Sequence, residues 1–521
     1  MTVLGINAYH GDVAAAIIRD GRLVAAVEEE RFRRIKHVAG FPTEAIRSCL
    51  AMAGAAPEDV EHVGVSRNPR AHLWRKALFA VRHRPGAGLM RDRAANYRRV
   101  GDVPARVAEA LGLPASAPGP VVHWIEHHPA HLASAFFVSP FDEAAVCAID
   151  GFGDFVSTSW ATGRGGELDV VRRTFFPHSL GLLYLAMTQY LGFRKFGDEF
   201  KVMGLAPYGA PDFVPEVRQL VHLLPGGDFR LALPYFRHWS EGAGMTWDDG
   251  EPELDQVYSV KLESLLGPAR RPDEAVTARH EALAASLQVV FEEAAFHVLR
   301  GLHGRVRSRR LCLAGGCAMN SVANGKIREA TPFEDVYIQP AAGDNGTALG
   351  AAFAVWHQVL RRPREFTMKH GYWGPAFDGP AVEQALAPSR AALDALRCEV
   401  VRCTDEDTLV RAVAHRLAAG DVVGWFQGRM EWGARALGNR SILADPRRAD
   451  MREIINTKIK FREKFRPFAP SILEERVSDY FVGAVPDPFM MQVYPIRPDK
   501  RHVIPAVAHV DGSGRLQTVS R

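Results

Sequence analysis

One short grammar occurs twice in this chain, and any fold it adopts has to accommodate both copies. Val3–Asn7, Val13–Ile18 and Leu23–Val27 are three apolar runs. A loop containing Gly11 separates the first two, and the Asp20-Gly21 turn joins the second and third as a hairpin. Ala144–Ile149, Val156–Ala161 and Leu168–Val171 repeat the pattern, with Asp150–Asp154 as a Gly/Asp loop in the first gap and a Gly-rich turn in the second. Two such units predict a duplicated α/β fold.

Helical and strand signals continue after the second copy. Thr277–Leu302 has helical periodicity, followed by a strand at Arg310–Ala314, a helix from about Ala318, a strand at Val336–Gln339 and a helix from about Gly346. A duplicated three-stranded hairpin sheet with helices describes the actin/sugar-kinase-like (ASKHA) architecture, in which each half turns a polar or acidic loop toward a shared nucleotide cleft. The first block is expected over residues 1–360. Residues 361–379 are rich in Pro, Gly and aromatics and read as a linker; 380–521 reads as a second α/β block.

Composition removes several classes. With 47% hydrophobic and 24% charged residues over 521, the chain can bury a large core and is not a disordered or low-complexity protein. A net charge of +4 is too small for a dedicated nucleic-acid binder, so nucleic acid is not an expected partner. The basic stretch Arg67–Arg99, ten Lys/Arg against one acid with Trp74, Phe79 and Tyr97 interspersed, reads as a solvated helical insertion, with partner docking or RNA contact as alternatives. No apolar run reaches the roughly 18 residues of a membrane helix, and the start resembles no signal peptide, so no membrane partner is expected. Six scattered cysteines without a Cys-x-x-Cys read as reduced thiols in a cytoplasmic protein.

Candidate chemistry begins at His127-His128-Pro129-Ala130-His131. Pro129 is tolerated in a first helical turn, so His127 and His131 would lie one turn apart on one face, a spacing at which two imidazoles can share a cation. Capping and packing are the alternative. Asp150 and Asp344 are loop acids flanked by glycine, where an acid can hold a metal or cap a helix. Two His plus carboxylates would suit Fe(II), Mn(II) or Zn(II). Gly315-Gly316 ends a strand and opens a helix carrying Asn320 and Asn324, a turn at which a nucleotide can lie on bare backbone. His10 and Asp12 occupy the first loop, where His10 could serve as general base. Lys36 and Lys201 are candidate phosphate contacts. In the second block, arginines interleaved with Gly, Pro and Phe over Gln427–Ser441 and Lys458–Ser471 suggest a pocket for a small, strongly anionic ligand.

Together these motifs resemble the NodU/CmcH family of O-carbamoyltransferases over nearly the whole chain. The resemblance rests on Gly5–His10, Glu28–Phe32, His127–His131, Lys201–Gly209, Ala314–Gly316, Arg435–Ser441 and Arg466–Pro470. It implies an ASKHA-type block followed by a YrdC-like block. It also implies an ATP- and carbamoyl phosphate-dependent reaction that passes through a carbamoyl-adenylate to a hydroxyl of a small natural product, such as an antibiotic or a sugar-containing metabolite. By motif match, His127, His131, Asp150 and Asp344 would hold a divalent metal, Fe(II) foremost with Mn, Zn or Mg as alternatives. Lys36, Lys201, Gly315, Gly316 and Asn320 would lie near the nucleotide. His10, with Asp12, would face the acceptor hydroxyl. Arg435, Lys460, Arg466 and Arg515 would hold carbamoyl phosphate. A homodimer is one expectation for the assembly.

Two departures qualify the match. The family pattern runs past the point matching Gln517-Thr518-Val519, with an Asn/Ser/Phe-containing stretch that completes the carbamoyl-phosphate pocket. The second block is therefore expected to lack that stretch. The first loop reads His10-Gly11-Asp12, where other members have His-Asp directly, which leaves the role of Asp12 open. A tRNA threonylcarbamoyl-type transferase, a sugar kinase-like ATP enzyme and a non-catalytic interaction protein are the competing readings. Modest charge counts against the first, the Arg-rich second block against the second, and the His/Asp set against the third.

Overall fold

The structure, a computed structural model, describes residues 1–83, 86, 101–114, 118–242, 244 and 250–520. Strand order makes the duplication explicit. β1 (Thr2–Asn7), β2 (Ala14–Arg19) and β3 (Arg22–Glu28) form an antiparallel meander. β4 (Val60–Val65) and β5 (Val121–Trp124) add in parallel beyond β1, giving the order β3-β2-β1-β4-β5. β6 (Glu143–Gly153), β7 (Val156–Arg164) and β8 (Glu167–Phe175) form a second meander. After a hairpin of β9 (Val221–Leu224) and β10 (Asp228–Leu231), β11 (Arg310–Ala314) and β12 (Asp335–Tyr337) extend that meander in parallel from β6. The second sheet, β12-β11-β6-β7-β8, repeats the first read from its other edge.

The last strand of each sheet leads into a helix, and these two helices interlock the halves. Helix Gly346–Ala354, sequence GTALGAAFA, is buried at every position, as a helix apolar all round requires. Small residues let it sink onto the first sheet. A Cβ on Gly5 of β1 would stand 1.9 Å from the Ala348 carbonyl oxygen, and one on Gly64 of β4 would stand 2.6 Å from that of Ala351. Helix His127–Phe136 in turn packs on β6, β7 and β11, with the Phe136 ring against Gly163. Each helix therefore covers the sheet of the opposite half. The two cross where a Cβ on Gly350 would lie 1.8 Å from the Ala130 carbonyl oxygen.

The expected helix at 277–302 runs Ala278–Val306 behind the second sheet. By length and mean hydropathy it could cross a membrane, but Glu292 and Glu293 interrupt its apolar run and 83% of that window is buried within the protein. In the basic stretch, helix Leu73–His83 buries Phe79; residues 84–85 and 87–100, including Tyr97, lie outside the described residues. Residues 361–379 are laid along the first block: Phe366 and Met368 are buried, and Arg364 donates to the Phe137 carbonyl at 3.1 Å and the Phe141 carbonyl at 2.5 Å.

The second block is α/β with short ladders. β13 (Val423–Phe426), β14 (Arg440–Leu443), β15 (Ser471–Leu473), β16 (Val493–Pro495), β17 (Ser513–Arg515) and β18 (Gln517–Val519) pair two by two, β13 with β14, β15 with β18 and β16 with β17. Val477, Phe481, Tyr494, Ile496 and Leu516 form one small core. Buried polar contacts seat this block on the first. The Glu28 carboxylate accepts from Asn345 at 3.0 Å and the Gly433 N–H at 2.7 Å, and Asn324 donates to the Met491 carbonyl at 2.9 Å.

Neither backbone can yield at the helix crossing, so Gly350→Val should cost at least about 3 kcal/mol, the upper end of overpacking penalties. Urea unfolding checks this, and a variant with the parental midpoint would show that the crossing is looser than described.

Candidate functional site

A cavity of about 1010 Å³ lies between the halves, with His10, Lys36, His127, Asp150, Asn320 and Asp344 among its lining. At its base, four buried side chains point donor atoms at one centre: His127, His131, Asp150 and Asp344, all mutually within 4.8 Å. The fold explains each position. His127 and His131 occupy the first turns of the helix at the crossing. Asp154 reaches over to accept the His127 N–H at 2.9 Å, satisfying a helix-start donor. Gly153 is required beneath that ring, since a Cβ there would stand 2.0 Å from imidazole carbons. Asp150 lies on β6, held by the Gly316 N–H at 2.7 Å. Asp344 sits in the turn that opens helix Gly346–Ala354.

The two imidazole Nε2 atoms are 3.0 Å apart. Asp150 lies 3.4 Å from His127 and 3.8 Å from His131, and Asp344 lies 3.5 and 3.3 Å from the same two atoms. Ligands at about 2.1 Å from a divalent first-row ion stand about 3.0 to 3.4 Å apart on an octahedron or tetrahedron, so the donor set fits such an ion. Without one, burial alone would push His127 down, but hydrogen bonds and charge from Asp150 and Asp344 outweigh it and raise the imidazole to about 10. Burial opposes ionisation of Asp344, yet His10, His127 and His131 hold it well below the usual carboxylate range. A divalent ion would replace the protons these imidazoles carry. His128 is buried with neither ring nitrogen hydrogen-bonded and is kept neutral chiefly by burial; it belongs to the packing.

His10 Nδ1 lies 2.6 Å from the second oxygen of Asp344, and its ring stacks on His127 at 4.7 Å. Placing the proton on Nδ1, where Asp344 accepts it, leaves Nε2 as the basic nitrogen. Asp12 turns elsewhere, to His37 Nδ1 at 2.7 Å. Burial alone would lower His37, but the charge and hydrogen bond of Asp12, with Glu30 and Glu199 nearby, raise it to about 9. Asp12, Glu30 and His37 also bring donor atoms within 4.8 Å of one another, but all three are only half-buried.

The nucleotide candidates divide. Lys36, Gly316 and Asn320 line the cavity. Gly316 spends its N–H on Asp150, and Asn320 caps helix Ser321–Ala330 and exchanges hydrogen bonds with Gln288. Gly315 has φ +90°, and a Cβ there would stand 2.2 Å from the Ile149 carbonyl oxygen, so that glycine serves close packing on β6. Lys201 pairs with Asp198 at 2.9 Å and with Glu463 of the second block at 3.2 Å.

The second-block candidates form a row of cations. Burial and Arg515 push Arg435 down to about 9; burial, against which Asp487 pulls upward, leaves Arg515 at about 10 with Arg466 also lowering it. Burial with Arg462, Lys36 and Arg466 lowers Lys460. Arg435 and Arg515 remain positive at neutral pH. The Nε atoms of Arg435 and Arg515 are buried without a hydrogen-bond partner, a state that an anion would relieve. Arg462, which burial and Arg466 push down to about 10, and buried Asp487 join this row. Arg462 lies in the arginine-bearing Lys458–Ser471 stretch, whereas neither spacing nor neighbours mark out Asp487.

An interlocked α/β duplication with a His/Asp cluster at its centre is seated against a cation-rich second block. The carbamoyltransferase N-terminus profile matches residues 2–84 and 95–353, and the carbamoyltransferase C-terminus profile matches 414–521. An uncharacterized protein of Synechocystis, sll1178, is 41% identical over 99% of this chain and 86% of its own length. The nodulation protein NolNO of Sinorhizobium fredii is 38% identical over 99% of this chain and 70% of its own. A ROK hexokinase structure from Thermus thermophilus overlaps 68% of this chain and 97% of its own at 16% identity and a TM-score of 0.31, too distant to carry any argument. The chain belongs to the carbamoyltransferase family and is a carbamoyltransferase.

The His37–Asp12 pair generates a pH prediction. Because the folded-state value, about 9, exceeds the unfolded value of about 6.5, the pair's stabilisation is fully present below pH 6.5 and disappears as pH rises through 9. His37→Gln should therefore cost on the order of 2 kcal/mol at pH 6 and close to nothing at pH 10. Unfolding free energies at both pH values test it; an equal loss at the two would contradict the pairing.

Proposed function

We propose that this carbamoyltransferase uses carbamoyl phosphate and ATP, forms a carbamoyl-adenylate, and passes the carbamoyl group to a hydroxyl of a small molecule. The observation that carries this reading is the cation row of the second block, with its two unpartnered guanidinium nitrogens, which adjoins the cavity where Arg435 donates to the carbonyl of Met319 in its lining. Arg435, Lys460, Arg466 and Arg515 would hold carbamoyl phosphate, the bidentate guanidinium forks matching its phosphate oxygens. Water would cleave carbamoyl phosphate there to carbamate and inorganic phosphate; a carbamate oxygen then attacks the α-phosphorus of ATP and displaces pyrophosphate, which leaves the otherwise poorly electrophilic carbamoyl group joined to AMP as leaving group. The adenylate is prone to hydrolysis, so a closed passage between the blocks protects it. The 380–521 block would form the adenylate and the first block would consume it.

In the first block, Lys36 on the cavity wall would meet phosphate charge, whereas Lys201 would first have to leave Asp198 and Glu463. His127, His131, Asp150 and Asp344 would hold a divalent ion, Fe(II) foremost, which when bound supplies positive charge against the adenylate phosphate. His10 Nε2 takes the acceptor hydroxyl proton as the oxygen attacks the carbamoyl carbon and AMP leaves. Asp344, hydrogen-bonded to Nδ1, orients that ring and stabilises the imidazolium. Six free cysteines are in keeping with a reducing, cytoplasmic setting.

Incubation with labelled carbamoyl phosphate, ATP and a panel of hydroxylated scaffolds tests the reading. The expected result is carbamoyl phosphate-dependent release of pyrophosphate and AMP. Arg515→Ala should lower it on the order of 100-fold. Release of ADP, or pyrophosphate formation indifferent to carbamoyl phosphate, would overturn it.

A further inference from the structure

One ion-pair cluster crosses the seam between the two blocks at the edge of the cavity. Lys201 Nζ lies 2.9 Å from Asp198 of its own block and 3.2 Å from Glu463 of the second block. The other oxygen of Glu463 lies 3.7 Å from Arg466 Nη1. The Arg466 guanidinium stands 4.9 Å from the centre of the Phe200 ring, and Phe200 lines the cavity. One carboxylate is thus held between two cations from different blocks, where the cavity meets the cation row.

Seating the second block does not account for this cluster. The buried contacts of Glu28 and Asn324 already seat it. The Glu463 side chain is 31% exposed and that of Arg466 19%, and an ion pair so placed adds little stability. Its loop is irregular and no residue of 458–470 is buried, so little packing opposes a shift of the carboxylate. Burial opposes ionisation of Glu463, but its own backbone, Lys201 and Arg466 outweigh that and hold the carboxyl below its usual range. Among the described residues Glu463 is the one acid within ion-pair distance of Arg466. Two carboxylates balance two cations in the cluster as it stands. Withdrawing Glu463 leaves a net positive charge, which Lys460 and Arg462 of the row reinforce. A phosphate offers what Glu463 offers, negative oxygens at the spacing of a guanidinium fork, with more charge.

We propose that Lys201 and Arg466, one from each block, form a single phosphate site across the seam, and that the Glu463 carboxylate fills it until a substrate phosphate displaces it. The inference rests on the proposed reaction only for which phosphate arrives, that of carbamoyl phosphate or that of ATP; the site itself is measured by binding without turnover.

Calorimetric titration of the intact chain with phosphonoacetamide, a stable isostere of carbamoyl phosphate, with α,β-methylene-ATP and with adenosine as uncharged control tests it. Glu463→Gln keeps the shape of the side chain and removes its charge. It should tighten at least one of the two phosphate-bearing probes by about fivefold or more and leave adenosine unchanged; the probe that responds identifies whose phosphate enters. Glu453→Gln, which removes the same charge from an exposed pair with Lys464, should alter neither affinity. In an Arg466→Gln background the gain from Glu463→Gln should vanish. If Glu463→Gln fails to fold, Glu463→Ala decides by the same readings. Unchanged affinity, tightening that extends to adenosine or is matched by Glu453→Gln, a gain that survives Arg466→Gln, or no binding of either phosphate probe at millimolar concentration would overturn the inference. Weaker binding would also overturn it and make Glu463 a prop that holds the two cations in place. Selective tightening with no carbamoyl phosphate-dependent pyrophosphate release would leave the site standing and remove the proposed reaction.

Discussion

The structure depends on the close crossing of two helices, His127–Phe136 and Gly346–Ala354. They meet at Ala130 and Gly350 with no room for a side chain between them, and each lies on the sheet of the other half. That exchange locks the duplicated halves into one core. It also brings their N-terminal ends together, so that His127 and His131 from one half face Asp344 from the other, with Asp150 closing the group from the neighbouring strand β6. The small residues that permit the crossing, Gly5, Gly64, Ala130, Ala348 and Gly350, therefore determine the site geometry although none of them carries a functional group.

Electrostatics divide the molecule into complementary places. The cluster at the crossing holds two ionised carboxylates whose charge raises both imidazoles. The second block holds cations that depress one another and find few acids, Asp487 and Glu463 among them. On the proposed function, one place takes a cation and the other an anion. Glu28 and Arg31 help couple them by anchoring Gly433 of the second block, beside the loop that carries Arg435.

Much of the first block was legible in the sequence because its signals are local. Apolar runs of four to six residues separated by Gly/Asp turns gave β1 to β3 and β6 to β8, and the Ala/Gly run after Gly346 fell on the crossing helix. The His127/His131 spacing and the glycine-flanked Asp150 and Asp344 mark the members of the cluster in the sequence. What escaped depends on contacts between distant segments. Asp12 sits two residues from His10 yet pairs with His37, because its positive φ turns the loop. Asn320 stands after the double glycine but is spent on capping a helix and on Gln288. Asp154, inside the Gly/Asp loop, accepts the first N–H of the histidine helix. In the second block no periodic stretch announces the burial of Arg435, which reaches across to the Met319 carbonyl of the first block.

The central claim is that the crossing creates a metal centre shared by the two halves. X-ray absorption at the edge of the metal carried by the purified protein tests it most directly. A first shell of nitrogen and oxygen scatterers at about 2.1 Å, with the outer-shell signature of two imidazoles that falls to one in His131→Ala, is the predicted result. A sulfur shell, a spectrum indifferent to His131→Ala, or a protein that retains no metal would contradict it.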